Sequence, residues 1–187
     1  MAGRRLEQTY QLPFDFSAQP ESEPIPSIYR IEPGTLAQLD RREAELGRFV
    51  RAVETETFMN TPQDVATFLL EQIYAPFDRF EQEELVTLML NTQKGITHTA
   101  MIYRGTINTV YIRSAEIFRP AVRLNAASIV LAHNHPSGDP TPSPEDVRFT
   151  ESCVEAGRIL DIKLLDHIIV GKDRWVSLKE RRLGFQT

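Results

Sequence analysis

Apolar positions repeat along this chain with two different periods, and the switch between them outlines the elements. Leu36, Leu39, Leu46, Phe49, Val50 and Val53 recur at helical spacing among Arg and Glu, which predicts a charged helix over 35–53. Glu54–Asn60 reads as a connector. Thr61-Pro62-Gln63-Asp64 offers an N-cap, a proline at the first helical position and an acid in the first turn, so a helix is expected to about Tyr74. Leu85–Leu90 is a compact apolar run of strand length, followed by the turn-like Asn91–Gly95. Ile96–Tyr103 is expected to pair back on it as a hairpin. Arg104-Gly105 turns again, and Thr106–Ile112 alternates as a third strand.

Beyond that point helices and strands alternate. Ser114 is a candidate cap for a helix through Leu124, and Ala126–Ala132 reads as a buried central strand. A helix over Pro144–Leu160 carries Phe149, Cys153, Ala156 and Leu160 on one face. Ile162–Val170 and Trp175–Leu178 supply two more strands around Gly171-Lys172-Asp173. The predicted class is mixed α/β (α+β): a curved sheet with both hairpins and helical crossovers. Residues 1–34 differ from all of this. Pro13, Pro20, Pro24, Pro26 and Pro33 punctuate a polar, acidic stretch that buries little, either disordered or draped over the body. The expected organisation is a proline-rich tail (1–34), a helical extension and connector (35–60) and a main domain (61–187).

Composition narrows the function classes. At 187 residues the chain is long enough for a sizeable core. Its single cysteine, Cys153, excludes an intramolecular disulfide and a cysteine-based metal cluster, so the expected compartment is a reducing cytoplasm. On the apolar face of its helix Cys153 is expected to be inert packing. Acidic residues (26) outnumber basic ones (21), for a net charge of −5, which weakens nucleic-acid binding to a minor expectation. The most apolar run, Ala126–Ala132, is far too short to span a bilayer, and no apolar signal-peptide core follows Arg4-Arg5.

The chemistry concentrates where the central strand stops, in His133-Asn134-His135-Pro136-Ser137-Gly138-Asp139-Pro140-Thr141-Pro142-Ser143-Pro144-Glu145-Asp146. Strand residues two apart face the same side, so His133 and His135 can aim two imidazoles at one point. Ser143-Pro144-Glu145-Asp146 has the pattern of a helix start, and the loop before it can bring Asp146 back towards the histidines. Asp139 competes as third ligand, but little chain separates it from His135. Two imidazoles and one carboxylate leave a fourth position of a tetrahedral Zn²⁺ open to water, the arrangement of a hydrolytic rather than a structural zinc. Such a site needs another carboxylate as proton acceptor. Glu83 and Glu84, at the foot of the first strand, are the candidates, with Glu116 a weaker one.

His133 to Asp146 resembles the zinc motif of the JAMM (MPN+) metalloproteases, H-x-H-P followed by S-x-x-D. The more extended resemblance is to the RadC family, a bacterial branch of that superfamily. Asn125-Ala126-Ala127 leading into His133–Gly138, Pro142–Asp146, Arg104-Gly105-Thr106 and Leu165–Gly171 carry it, over about residues 60–187. It implies a JAMM/MPN-like (cytidine-deaminase-like) fold with one zinc per chain held by His133, His135 and Asp146. It implies Glu83 as the base, with Glu84 the alternative register, and Ser143 as a group that helps stabilise the oxyanion. The implied activity is hydrolysis of a peptide or isopeptide bond in a protein or peptide substrate, with Glu83 passing a proton from water to the leaving amine. The second implied reading is a DNA-repair-associated binding module whose zinc is structural. Residues 1–60 lack the helix-hairpin-helix region usual in that family, and Ser114-Ala115 stand where it tends to have Pro-Arg. His167, beside Asp166, is either a structural histidine or outer support for the metal site. His98 is expected to be a surface or packing residue, and Trp175 a core or rim residue. The composition identifies neither substrate nor oligomeric state.

Overall fold

The computed structural model describes residues 50–54, 57–105 and 112–185. The expected tail, residues 35–49 of the expected helix and most of the expected third strand (106–111) lie outside the described residues. The order is β1 (Val50–Ala52), α1 (Pro62–Phe68), β2 (Glu83–Leu90), β3 (Ile96–Gly105), α2 (Ser114–Arg123), β4 (Ser128–Asn134), α3 (Pro144–Leu160), β5 (Lys163–Val170) and β6 (Trp175–Ser177). They form one six-stranded sheet in the order β1-β3-β2-β4-β5-β6. Only β4 and β5 run parallel, and α3 is the crossover between them. Helices cover both faces, as expected for the mixed α/β class.

Strand alternation divides the apolar residues between two cores. One face carries Val86, Leu88, Leu90, Val130, Ala132, Ile168 and Val170 against Val65, Phe68 and Leu69 of the α1 region. The other carries Leu85, Met89, Ile129 and Leu131 against Ile117, Phe118 and Ala121 of α2 and Cys153 of α3. Each fully buried Leu or Ile here contributes roughly 1.5–3 kcal/mol relative to exposure. β2 and β4 lie at the middle of the sheet, so they are buried almost end to end. This explains why both read as unbroken apolar runs.

Four expectations change. Val50–Ala52 is a strand paired with β3, not the end of a helix: its backbone takes up ladder hydrogen bonds opposite His98, Thr99 and Ala100. The helix from Pro62 is α-helical only to Phe68 and continues as a π-helical turn, Leu69–Ile73. Ser114 is not the cap of α2; Arg113 takes that place with an extended backbone and no side-chain cap. The buried stripe of α3 is Asp146, Thr150, Cys153 and Gly157, while Leu160 is 44% exposed. Gly157 sets this offset. A Cβ there would crowd the Ile162 carbonyl, so the helix approaches the start of β5 at backbone distance.

Candidate metal centre

β4 and α3 build the site. On β4, alternation turns Leu131 and His133 to the α3 side and Ala132 and Asn134 to the other. α3 begins as its sequence predicts. Ser143 Oγ accepts the Asp146 N–H at 3.1 Å, the Asp146 carboxylate accepts the Ser143 N–H at 2.8 Å, and Pro144 occupies the first turn. This capping box fixes the Asp146 side chain at the helix entrance. The intervening loop folds back through Gly138 (φ 82°), whose N–H donates to the His135 carbonyl at 2.8 Å. Gly171, in the turn after β5, lets that loop pass, because a Cβ there would collide with the Gly138 carbonyl.

Three ligating atoms then meet. His133 Nε2 lies 3.1 Å from His135 Nε2 and 3.2 Å from Asp146 Oδ1, and His135 Nε2 lies 3.7 Å from Asp146 Oδ2. His133 and Asp146 are buried and His135 is half-buried. The Nδ1 of His135 sits 2.8 Å from the Asp139 carbonyl, which can only accept, so Nδ1 carries a proton and, in the neutral ring, Nε2 keeps its lone pair. With both rings neutral, electron pairs face one another across the cluster, an arrangement that a metal ion, or a proton on one imidazole, relieves. The donor set of two imidazoles and a carboxylate fits a divalent metal ion. Without a metal ion, a proton on an imidazole takes that place. Burial works against the Asp146 charge, but the His133 and His135 contacts overcome it and hold the carboxyl well below its usual range. Burial also opposes charge on His135, yet hydrogen bonds to Asp146 and the Asp139 carbonyl, with the fields of Asp146 and Glu83, raise its pKa.

The two glutamates separate onto opposite sides. β2 pairs with β4 so that Leu85 is opposite His133; Glu83, two residues earlier, shares that face and reaches His135 with its field. Glu84 points the other way and pairs with Arg104 at 2.7 Å. Asn134, between the histidines, spans the start of β2: its Oδ1 accepts the Glu84 N–H at 2.7 Å and its Nδ2 donates to the Gln82 carbonyl at 3.2 Å. Those two bonds hold the backbone on either side of Glu83. Ser143 Oγ donates to Asp146 Oδ2 at 2.7 Å, beside the cluster.

Other sequence candidates are elsewhere. The Asp139 carboxylate accepts from the Thr141 N–H and hydroxyl, so Asp139 serves the cluster by its carbonyl and Asp146 supplies the carboxylate. Glu116 pairs with Arg113 at the start of α2. Cys153 is buried, and burial pushes its thiol up to about 12. His98 lines a groove with Ala52, Ala100 and Arg119. His167 is fully buried and touches His133, with its Nε2 2.8 Å from His133 Nδ1. Sequence reasoning missed Asn134 and Thr150. Asn134 had a signal, since a polar residue between two strand histidines must face the opposite core and find partners there. Thr150 had one too, sitting one helical turn after Asp146 on the same face.

The sequence profile of the RadC-like JAB domain matches residues 59–183. A UPF0758 protein of Chloroflexus aurantiacus is 44% identical over 144 residues, covering 76% of this chain and 61% of that protein. A UPF0758 protein of Roseiflexus sp. is 43% identical over 143 residues, covering 75% and 60%. One of Bacillus cereus is 44% identical over 140 residues, covering 73% and 60%. The matched segment thus spans about three fifths of these relatives.

Proposed function

Because the chain belongs to the RadC-like JAB domain family, we propose that it is a zinc-dependent metallohydrolase, a peptidase or isopeptidase of the JAMM type acting on a protein or peptide. The carrying observation is the convergence of His133 Nε2, His135 Nε2 and an Asp146 carboxylate oxygen with Glu83 on the same face of the sheet. His133, His135 and Asp146 would hold the ion. When bound, zinc supplies a Lewis acid and a water whose pKa is lowered to about 7.

The protein's own residues supply the rest. Glu83 is the general base: it takes the proton from the attacking water and delivers it to the leaving amine. Asn134 holds the Glu83 backbone from both sides, which fixes the face of the sheet from which its side chain enters the site. The Ser143 hydroxyl, which donates to Asp146 Oδ2 at 2.7 Å in the structure, turns that proton to the carbonyl oxygen as negative charge develops there. The carboxylate of Asp146 is kept ionised by its neighbours, so the ligand set is ready at neutral pH. Among the described residues no helix is long and apolar enough to cross a membrane, and a cytoplasmic protein substrate is part of this proposal.

The test begins with metal content by elemental analysis of the wild type and His133→Ala. The expected result is about one zinc per chain, lost in the variant. Peptide and isopeptide substrates are then screened, with Glu83→Gln expected to keep the metal and lose turnover. A wild type that takes up no zinc after reconstitution overturns the proposal. Zinc without hydrolysis, combined with salt-sensitive retention on DNA, would favour the binding-module reading instead.

A further inference from the structure

Behind His133, on the side away from the ligand cluster, a chain of hydrogen bonds runs to the backbone of α3. His133 Nδ1 lies 2.8 Å from His167 Nε2, His167 Nδ1 lies 2.7 Å from Thr150 Oγ1, and Thr150 Oγ1 lies 2.6 Å from the Asp146 carbonyl. The proton positions follow from the far end. A carbonyl only accepts and a hydroxyl has one proton, so Thr150 donates to Asp146. Its remaining capacity towards the ring is a lone pair, and His167 must donate from Nδ1. His167 is fully buried with His133, Thr150 and Phe149 against its ring, and an imidazole held there without a carboxylate partner is neutral. A neutral ring protonated at Nδ1 presents a lone pair at Nε2, so His133 donates from its own Nδ1. In the neutral His133 ring, Nε2 is thereby left with its electron pair aimed at His135 and Asp146.

We propose that Thr150 and His167 are positioning residues of the metal centre: the Thr150 hydroxyl, acting through His167, sets the tautomer and ring orientation of His133 and at the same time grips the segment that carries Asp146. This deepens the metallohydrolase reading and rests on it. One hydroxyl ties together two ligands that come from different elements, β4 and α3. His135 is independent of it, because the Asp139 carbonyl fixes its tautomer. A threonine bonded back to the carbonyl four residues earlier is common in helices. What separates this one from ordinary back-bonding is the second bond to a buried ring that touches a ligand.

Two substitutions separate positioning from packing. Thr150→Val keeps the shape and removes the hydroxyl; Thr150→Ser keeps the hydroxyl and removes a methyl. Histidine ring tautomers are read by nitrogen-15 NMR on metal-free protein at about pH 8, where exposed imidazoles are neutral. Zinc affinity is measured by competition with a chromophoric chelator. Wild-type His167 is expected to carry its proton on Nδ1. In Thr150→Val that proton moves to Nε2 and zinc binds ~10–100-fold more weakly, the usual effect of losing an outer-sphere partner. Thr150→Ser is expected to stay within about threefold of wild type, because the hydroxyl partner is kept. The His135 tautomer stays unchanged in both. A wild-type His167 protonated on Nε2, a Thr150→Val protein with wild-type zinc affinity, or a Thr150→Ser protein as weak as Thr150→Val each overturns the assignment. A wild type that takes up no zinc sinks the metallohydrolase reading, whereas the tautomers, read without metal, decide the relay by themselves.

Discussion

Asp146 and Asp166 are carboxylates of equal exposure, 5% each, in the same molecule, with opposite surroundings. Asp166 meets donors. Its Oδ1 accepts the His167 N–H at 2.7 Å and the Lys179 N–H at 3.2 Å, and its Oδ2 accepts the Ser177 hydroxyl at 2.7 Å. It staples β5 to β6 and to the turn beyond. The fixed donors to the Asp146 carboxylate come from Ser143, and its remaining contacts are with the imidazole nitrogens of His133 and His135. Burial is therefore a poor guide to role. A buried carboxylate whose oxygens meet protons is a structural joint, and one that faces other electron pairs calls for a cation.

The largest expected effect breaks that comparison most directly. Asp146→Asn removes the charge of the cluster, and zinc affinity should fall by more than ~100-fold, beyond what outer-sphere changes cost. Asp166→Asn should leave zinc stoichiometry intact and change only stability, by about 1–3 kcal/mol, since one hydrogen of the Ser177 pair is misplaced. Zinc titration of both variants, with melting curves alongside, decides it. Equal loss of zinc in the two would mean that Asp166 belongs to the centre.

The neighbouring glutamates extend the contrast to β2. Glu83→Gln should lower hydrolytic turnover by ~10²–10⁴-fold while keeping the metal. Glu84→Gln breaks only the pair with half-exposed Arg104, worth no more than about 1 kcal/mol. Kinetics that place the loss at Glu84 would reverse the assignment of faces. Asn134→Ala strands the Glu84 N–H and the Gln82 carbonyl, so a stability loss of about 1–3 kcal/mol is expected, accompanied by a fall in turnover because Glu83 loses its backbone clamp. Full turnover in that variant would show that the clamp is structural only.

Much of this geometry is legible in the sequence because local rules dominate there. Ser143-Pro144-Glu145-Asp146 specifies a capped helix start by residue chemistry alone, and α3 spans Pro144–Leu160 as its pattern predicts. The H-x-H spacing specifies a shared direction because a strand has period two. What the sequence leaves open depends on which distant strand pairs with which. Glu83 and Glu84 differ only by the register of β2 on β4, which no local pattern states. Val50–Ala52 carries helical periodicity yet becomes an edge strand, because β3 offers it a ladder partner. His167 and Thr150 lie seventeen residues apart and meet only after α3 packs across β5.

The smallest expected effect sharpens the comparison by sign. In metal-free protein a proton on an imidazole takes the place of the cation beside Asp146, whose folded pKa is lowered. The unfolded chain then binds more protons as pH falls below the ordinary aspartate value of about 3.9, so the stability from Asp146 is present above that value and is lost on acidification. Asp166 behaves in reverse. Burial outweighs its three hydrogen bonds and raises its folded pKa, so the folded chain holds the proton more tightly. Its contribution is present below about 3.9 and is lost as pH rises through the raised value. Urea midpoints of metal-free protein between about pH 3 and pH 6 read both. The advantage of wild type over Asp146→Asn should shrink as the solution is acidified, and its advantage over Asp166→Asn should shrink as the solution is made less acidic. Difference curves that slope the same way would show that the two carboxylates share one kind of environment, against the separation drawn between a joint and a cation site.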